Sequence, residues 1–385
     1  MSIVNKNTKT IQVFKTNDIV PEILFSMAVI LELAVMMTDH FASWTIPYRG
    51  RITHVAFALF CVKILMTKYD YMQLAIMTLS GMLGIISYYT CGDEYVIRAV
   101  VFVAAAVGVN KIRNLRIVFW GTIVGSVIII LLALCGICGE VVDVRHYGRG
   151  MVEARYCLGF NHANNVHCMM WYIITIFLLF RRSISKTGVI ICMLGNVILY
   201  YFTRSRTGLL LMFITLLGVV CVRYFGKIFN RFVLLILVLI ELVAALVMTM
   251  YAAIYLAINL PVISFVDKLL TGRLEMVSER AYVQLWRVFP TTAVSSDVDN
   301  AFAGITYSYG IIVGIFLVGV IVYCAIRKYR QNDRLSLVML FSVIGIYFME
   351  STFVLNISLL CNVLLLLLWN YTEDNRMHSD KDESI

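Results

Sequence analysis

The sequence predicts an all-α polytopic membrane protein with about 12 transmembrane helices, for three reasons. Apolar residues make up 61% of the 385 residues, charged residues only 14%, and 4 residues are proline. Ordinary globular proteins have about 25% charged residues, so a soluble core could not bury this apolar surface. Lipid leaves backbone groups unsatisfied unless they form helices, and the runs lack the period of two of a membrane β-barrel. A cytosolic enzyme, a disordered protein and a secreted disulfide scaffold are therefore excluded.

The apolar runs approach the length of about 20 residues that a spanning helix needs. The predicted spans lie near residues 19–38, 52–67, 72–89, 95–110, 115–138, 164–180, 187–203, 207–222, 232–257, 301–325, 335–349 and 353–371. The first run lacks a small-residue cleavage site, so we expect a retained helix rather than a signal peptide. Residues 1–371 are expected to form one integral membrane domain, and residues 372–385 a short cytoplasmic tail.

Lysine and arginine predict the orientation, because they are enriched in short cytoplasmic loops. With the N-terminus in the cytoplasm, 19 basic residues fall in inner segments and 11 in outer segments. Every short inner loop is then basic, and both termini are cytoplasmic. The net charge of +9 therefore reflects topology and gives no indication of nucleic-acid binding.

The outer loops carry the functional signal. Two of them are long, about residues 139–163 and 258–300, and every outer basic residue except Lys268 is arginine. Arginine binds phosphate and carboxylate groups through a planar two-pronged fork. Arginines on the side where the insertion rule disfavours them indicate that an anion binds there.

The short outer turn Thr203–Gly208 contains Arg204 and Arg206 just before a helix that Ser205 or Thr207 can cap. Arginines beside the free N–H groups of a helix N-terminus form an anion site. Contact of both arginines with lipid headgroups is the simpler alternative.

Residues 271–287 predict a helix in the second long loop, since neither proline nor glycine interrupts it after Gly272. Arg273, Arg280 and Arg287 are seven residues apart and would share one stripe of that helix. This stripe predicts either a headgroup-binding amphipathic helix or arginines that point into a binding cavity.

His162 and Asn164 lie where the first long loop enters the sixth span. Histidine is the side chain best suited to proton transfer near neutral pH, so His162 is a candidate catalytic or ligand-binding residue. Zinc binding by Cys157, His162 and His167 is disfavoured, because a spacing of five residues separates them around a helix. We expect no cofactor.

Several acidic residues are further candidates. Asp297 and Asp299 precede the tenth span, where they indicate either a divalent-cation pair or a helix start capped by Asp299 or Asn300. We favour the helix start and expect no metal. Glu32 and Glu241 lie within spans, where carboxyl groups are costly. They are expected either to face a cavity or a partner, or to be protonated and hydrogen-bonded. Glu350, at the outer end of the eleventh span, is placed to join an outer site.

Five stretches together resemble the Wzy-type polysaccharide repeat-unit polymerases of the O-antigen polymerase and ligase superfamily. They are Leu158–Asn164, Thr203–Gly208, Thr271–Arg273, Asp299–Phe302 and Tyr309–Ile311, similar to the family's LGF-x-HPN, RSR-T/S-G, TGR, DN-x-(Y/F) and YGII motifs. Their order and the two long outer loops also match the family. The chain departs from the pattern in having alanine where the family's histidine is followed by proline.

The resemblance implies a GT-C-like fold and an inverting, metal-independent glycosyltransferase of a bacterial cell membrane. Such enzymes polymerise the repeat units of capsule, exopolysaccharide or O-antigen, moving the growing glycan from undecaprenyl diphosphate to the non-reducing end of a new lipid-linked unit. A chain-length regulator and a flippase are the protein partners implied. The residues expected to be catalytic are His162, Arg206 and Arg273. The residues expected to bind substrate are Arg149, Arg204, Arg280, Asn164, Asp299 and Glu350.

Three other functions remain open at this point. One is a sensor or scaffold that binds anionic lipid without catalysing a reaction. An O-antigen ligase uses the same lipid-linked donor with a different acceptor, and sequence chemistry barely separates it from a polymerase. A flippase for lipid-linked oligosaccharides would place cations within the spans, whereas here the arginines lie in outer loops.

Overall fold

Helices dominate the computed structural model of the chain. The residues that the structure describes are 10–11, 19–39, 48–146, 152–258, 261, 264–265, 267, 272–281, 287–289, 299–350 and 358–368. The helices are α1 (Ile19–Asp39), α2 (Arg49–Leu65), α3 (Tyr71–Cys91), α4 (Tyr95–Ala105), α5 (Lys111–Leu134), α6 (Ala163–Arg181), α7 (Lys186–Thr203), α8 (Arg206–Tyr224), α9 (Arg231–Ile258), α10 (Arg273–Ala281), α11 (Ala301–Tyr309), α12 (Ile311–Arg330), α13 (Arg334–Met349) and α14 (Val363–Leu368), with a 3₁₀ turn at Leu359–Cys361.

Within the described ranges, eight helices are long and apolar enough to cross a membrane, and each overlaps a predicted span. They are α1, α3, α5, α6, α7, α8, α9 and α12. The chain is therefore a polytopic helical membrane protein. Helices α4 and α13 are apolar but have only 11 and 16 residues, so the total of twelve spans stays a prediction.

The span predicted over residues 301–325 is two helices, and its predicted start is wrong. Helix α11 ends at Tyr309, Gly310 adopts a φ of 88°, and α12 begins at Ile311. A side chain at Gly310 would overlap the carbonyl oxygen of Val288, so both space and backbone conformation require glycine there. Because α12 alone has 20 residues, it spans without the help of α11.

Helix α1 connects two polar ends of the bundle. Near its start, Glu22 accepts a hydrogen bond from the N–H of Asn110 at 3.1 Å. At its end, Asp39 pairs with Arg49, and its carbonyl accepts a hydrogen bond from Asn161 at 2.8 Å. Its 21 residues rise about 31 Å, which matches a hydrocarbon core of about 30 Å.

The loops predicted to face the cytoplasm meet at the end where α1 starts, which we call the basic end. Oδ1 of Asp333 pairs with Arg182, and Oδ2 of Asp333 lies 3.9 Å from the ammonium of Lys328. Lys111, at the start of α5, interacts electrostatically with all three of these residues. The opposite end, marked by Asp39, is therefore the end that receives the predicted outer loops.

Two short antiparallel sheets add strands to the predicted all-α class. Strands β3 (Val142–His146) and β4 (Val152–Tyr156) form a hairpin within the first long outer loop. Strands β1 (Thr10–Ile11) and β2 (Tyr69–Asp70) form the other pair. The long loop 139–163 is thus partly ordered by its own backbone hydrogen bonds.

Helix α6 is the central helix of the bundle. Within the chain, 72% of its spanning window is buried, against 11% for α7. The indole N–H of Trp171 donates to Ser342 on α13 at 2.8 Å and to Thr215 on α8 at 3.2 Å. The hydroxyl of Tyr172 donates to the carbonyl of Leu360 at 2.5 Å. These buried bonds fix α6, and with it the residues at its N-terminus.

The close approach of α6 and α8 predicts a sharp effect of Gly208→Ala. An ideal Cβ at Gly208 would lie 2.5 Å from Cγ of His167 on α6, so the helices must separate at a cost of about 1–3 kcal/mol. We expect a lower melting temperature for the purified protein in detergent. Gly319→Ala on α12, where nothing lies within 4 Å of the added carbon, is the matched control and should not destabilise. Equal melting temperatures for the two variants would contradict this packing.

Candidate functional site

Helix α6 begins next to the hairpin loop, and His162 is its N-cap. Its Nδ1 accepts a hydrogen bond from the N–H of Asn164 at 3.1 Å, which satisfies an amide that lacks an intrahelical partner. Because Nδ1 is an acceptor, the neutral ring carries its proton on Nε2, which is then a donor. This geometry suits His162 to donating a hydrogen bond to an oxygen rather than to accepting a proton.

Helix α10 begins at Arg273 and is held by local capping and by packing. The carboxylate of Asp267 accepts a hydrogen bond from the N–H of Leu274 at 2.7 Å. Leu274 and Val277 are both 1% exposed and belong to a small core that includes Tyr255 of α9. The position of Arg273 is therefore set by the fold.

A site cluster of Asn164, Thr207, Arg273 and Glu350 lies at the end of the bundle opposite the basic end. Nη2 of Arg273 donates to Oε1 of Glu350 at 2.8 Å and to the hydroxyl of Thr207 at 3.3 Å. The side-chain amide of Asn164 donates to the same Oε1 at 3.3 Å. These residues are contributed by α6, α8, α10 and the residue after α13. The structure thus brings together three predicted site residues, Asn164, Arg273 and Glu350.

The guanidinium of Arg273 retains binding capacity. Arg273 is 8% exposed, yet its Nη1 has no hydrogen-bond partner among the described residues. A buried donor left without a partner costs about 1–3 kcal/mol or more, so it favours an added acceptor. Burial alone would lower the pKa of Arg273, but the charges of Glu350 and Asp299 outweigh burial and raise it. The arginine is therefore a permanent cation directed at the site.

Two carboxyl groups set the electrostatics around this cation. Burial raises the pKa of Glu350, although the charge of Arg273 opposes the shift. Asp299 acts on both Arg273 and Glu350 through its charge. It precedes Asn300, which caps α11 by accepting a hydrogen bond from the N–H of Ala303 at 3.0 Å. The predicted cap at Asn300 is confirmed, and Asp299 belongs to the surroundings of the site.

The turn between α7 and α8 lies at the rim of the site cluster. Ser205 caps α8 as predicted, accepting a hydrogen bond from the N–H of Gly208 at 3.3 Å. Arg204 and Arg206 are exposed, and the guanidinium of Arg204 lies 5.2 Å from the centroid of the Tyr201 ring. Arg206 adjoins Thr207 in sequence, so it is next to the cluster but does not contact Arg273 in the structure. Both arginines are accessible to an anion that approaches from outside.

Some predicted residues lie outside the described residues. These are Arg149, Asp297 and the side chain of Arg280, whose backbone belongs to α10. The stripe predicted along one helix is wrong at Arg287, because α10 ends at Ala281 and Arg287 is not helical. Instead, the carbonyl of Arg287 accepts a hydrogen bond from the N–H of Ile311 at 2.9 Å.

The side chains considered as zinc ligands have other partners. The thiol of Cys157 donates to the carbonyl of Glu140 at 3.1 Å. The ring of His167 hydrogen-bonds with Asn196 at 2.6 Å and with Thr203 at 3.2 Å. Within the described part of the chain, no three metal-ligating side chains form a group.

The two carboxyl groups within spans have different surroundings. Oε1 of Glu32 lies 2.5 Å from Nη2 of Arg98, and its Oε2 accepts a hydrogen bond from the N–H of Leu359 at 3.3 Å. Glu241 faces α13 near Gly345, and its Oε2 is buried without a hydrogen-bond partner among the described residues. The expectation of a partner is therefore confirmed for Glu32.

Sequence reasoning missed three polar contacts. It treated Thr207 as a helix cap, whereas its hydroxyl accepts a hydrogen bond from Arg273, and it did not pair Arg98 with Glu32. It also missed the contact of His167 with Asn196. A usable signal was that polar and charged residues in apolar spans need partners, which sequence alone does not identify.

A scan against protein-family models, and searches of curated protein sequences and of solved structures, give no match to this chain. The site must therefore be interpreted from its own chemistry. It offers a buried cation with a donor that no described residue uses, two exposed arginines at its rim, and carboxyl groups beside the cation. This arrangement suits an anionic group that accepts several hydrogen bonds.

Proposed function

We propose that this protein is a Wzy-type polymerase, which joins lipid-linked oligosaccharide repeat units at the outer face of a bacterial cell membrane. The observation that carries the proposal is the buried guanidinium of Arg273, whose Nη1 has no partner among the described residues. It lies at the end of the bundle opposite the basic end, where the predicted outer loops meet.

The reaction needs charge stabilisation above all. A hydroxyl of the incoming unit attacks the anomeric carbon of the growing glycan, the bond to undecaprenyl diphosphate breaks, and the diphosphate leaves with the bonding electron pair. Donors that are already in place where negative charge develops supply the largest catalytic effect in many enzymes. We assign that role to Arg273, assisted by Arg204 and Arg206, with His162 donating from Nε2. Arg149 and Arg280 remain proposed helpers.

The proton of the attacking hydroxyl needs an acceptor. Glu350 is our candidate, because it is next to Arg273 and burial raises its pKa toward neutral pH. A general base is most effective when its pKa lies near the working pH. Asn164 and Arg273 both bond to Oε1, so we assign Oε2 as the oxygen that takes the proton. Asp299 is the alternative base.

The surface glycan of a strain lacking the gene tests the proposed function. A polymerase deletion should leave single-unit decoration, and the wild-type gene should restore long chains. Free polymer that is not attached to its final acceptor would identify a ligase instead. Lipid-linked units trapped in the cytoplasm would identify a flippase.

Arg206→Ala should shorten the glycan without destabilising the protein. Arg206 is exposed, so its removal leaves no buried group unpaired. One fewer donor for the diphosphate should slow polymerisation by about 10²-fold, the lower end of the effect of removing one such donor. The readout is glycan length in the complemented deletion strain, with membrane protein level as the control. Arg330→Ala, at the basic end of α12, is the matched variant and should polymerise normally. Unchanged chain length with Arg206→Ala would remove this residue from the site.

The pH dependence of polymerisation should report Glu350. As a base, Glu350 must be ionised, so activity should fall as the pH drops through its pKa. Burial raises that pKa above the ordinary glutamate value, which moves the loss of activity to a higher pH than an exposed glutamate would give. Glu350→Gln should lower the maximal rate and remove this acid limb from the rate profile of the purified enzyme. If the loss of activity at low pH persists in Glu350→Gln, a group other than Glu350 accepts the proton of the attacking hydroxyl.

A further inference from the structure

A polar cavity lies at the same end of the bundle as the site cluster. Its volume is about 270 Å³, and it is lined by Arg49, Gly50, Thr53, Gly92, Asp93, Glu94, Tyr95 and Arg98. These residues come from the first turns of α2 and α4 and from the turn between α3 and α4. Pockets for drug-sized ligands measure about 300–1,000 Å³, so this cavity suits a smaller group, such as one sugar residue.

The charges of the cavity do not favour a phosphate. The lining holds two arginines, Arg49 and Arg98, and two carboxylates, Asp93 and Glu94. Each arginine is already paired, Arg98 with Glu32 at 2.5 Å and Arg49 with Asp39. The acidic groups in and behind the lining therefore outnumber the cations, and a dianion would be repelled.

The same lining matches a hydroxyl-bearing ligand. A hydroxyl both donates and accepts hydrogen bonds, and the cavity offers guanidinium donors beside carboxylate acceptors. Tyr95 contributes an aromatic wall, and its ring stacks on that of Tyr309 with a centroid distance of 6.5 Å. Convergent polar groups with an aromatic surface are typical of sites that orient a small polar ligand.

Short segments of the chain connect this cavity to the site cluster. Asn161, three residues before Asn164, donates a hydrogen bond to the carbonyl of Asp39 at 2.8 Å. Helix α11 also connects the cavity with the site cluster. Asp299, whose charge acts on Arg273, precedes this helix. Tyr309, its last residue, interacts with Asp93 of the cavity. Nine residues of helix are about 14 Å long, which is the scale of a short oligosaccharide rather than of one sugar.

We propose that this cavity binds one saccharide residue of the acceptor repeat unit, while the site cluster holds the diphosphate of the donor. The inference rests on the proposed function and assigns the acceptor to α2, α4 and the turn between α3 and α4. It predicts that the cavity recognises sugar hydroxyls and does not need the lipid or the phosphate.

Binding of free oligosaccharide tests this assignment. The probe is the repeat-unit oligosaccharide released from its lipid by mild acid, added to the full-length protein in nanodiscs and observed by saturation-transfer NMR. Gly50→Trp should block the cavity, because nothing lies within 4 Å of a Cβ at Gly50, which lines it. Gly81→Trp on α3 also has open space and lies outside the cavity, so it is the matched control.

We expect wild type and Gly81→Trp to bind the oligosaccharide, and Gly50→Trp to bind at least tenfold more weakly. Glu94→Gln provides a second variant with a smaller structural change, and it should weaken binding as well. Sodium pyrophosphate should not displace the oligosaccharide. The inference is overturned if wild type does not bind, if Gly50→Trp and Glu94→Gln both bind like wild type, or if pyrophosphate competes.

Polymerisation by the same proteins separates this inference from the proposed function. If the wild-type protein polymerises and Gly50→Trp binds the oligosaccharide as tightly as wild type does, only the cavity assignment is overturned. Protein that binds the oligosaccharide in the cavity yet polymerises nothing overturns the proposed function.

Discussion

Arg273→Ala should abolish long-chain glycan, the largest functional effect that we expect from one substitution. The change removes the Nη1 donor, which has no partner in the described part of the chain, and the contact with Thr207 at 3.3 Å. Loss of one donor that stabilises developing charge costs about 10²–10³ in rate, and Arg273 supplies more than one. The measurement is the length distribution of surface polysaccharide in a deletion strain that carries the variant gene.

Controls must separate catalysis from folding, because Arg273→Ala also leaves Glu350 buried without its cation. Removing one member of a buried pair costs about 3–5 kcal/mol, whereas replacing both with apolar residues is often neutral. The double variant Arg273→Met with Glu350→Met should therefore recover protein level and melting temperature but not polymer. Arg273→Lys keeps the charge without the fork and should keep only a small part of the activity. Long chains made by the double variant would show that the pair has a structural role alone.

Arg98→Ala should cause the largest loss of stability. Arg98 is 2% exposed and Glu32 is 0% exposed, with 2.5 Å between Nη2 and Oε1. Without Arg98, the carboxylate of Glu32 would lose its cation inside the bundle, at a cost of about 3–5 kcal/mol. Glu32 also accepts a hydrogen bond from the N–H of Leu359, so the 3₁₀ turn should loosen too. We expect little folded protein in membranes, measured by fluorescence-detected size exclusion.

A matched pair of variants checks the cause of that loss. Glu32→Gln combined with Arg98→Met removes both charges, keeps an oxygen for the N–H of Leu359, and should restore most of the folded protein. Arg51→Ala, in which the arginine is exposed on α2, should leave the protein level unchanged. Equal losses for Arg98→Ala and for the double variant would mean that packing of the arginine side chain, and not its charge, stabilises this region.

Three residues of the site cluster could be named from the sequence, but Thr207 as a partner of Arg273 could not. Basic residues are disfavoured in outer loops, so the presence of Arg273 there indicated a ligand. The polar residues Asn164 and Glu350 lie at the ends of apolar spans. Contacts in the structure then joined them, although Arg273 and Glu350 are 77 positions apart. Composition alone predicted the fold class, because lipid is the only solvent that suits so apolar a chain.

Features that depend on tertiary contacts could not be predicted. The break between α11 and α12 at Gly310 lies where the backbone near Val288 approaches both helices. A hydropathy pattern does not predict such a break. The pairing of Glu32 with Arg98 joins positions that are 66 residues apart, so neither residue alone indicated its partner. The β3–β4 hairpin lies within the loop 139–163, for which no strand was predicted.

Polymerisation by the purified protein shows whether Arg273 stabilises a departing lipid diphosphate. Wild-type protein in nanodiscs, supplied only with undecaprenyl-diphosphate-linked repeat units, should lengthen the glycan and release one undecaprenyl diphosphate for each bond formed. Arg273→Ala, adjusted to the same amount of folded protein, should release at least a hundredfold less, in line with the loss of a donor to the leaving diphosphate. Polymerase function is ruled out if the wild-type protein does not lengthen the glycan. The role of Arg273 is ruled out if Arg273→Ala releases the lipid diphosphate at the wild-type rate.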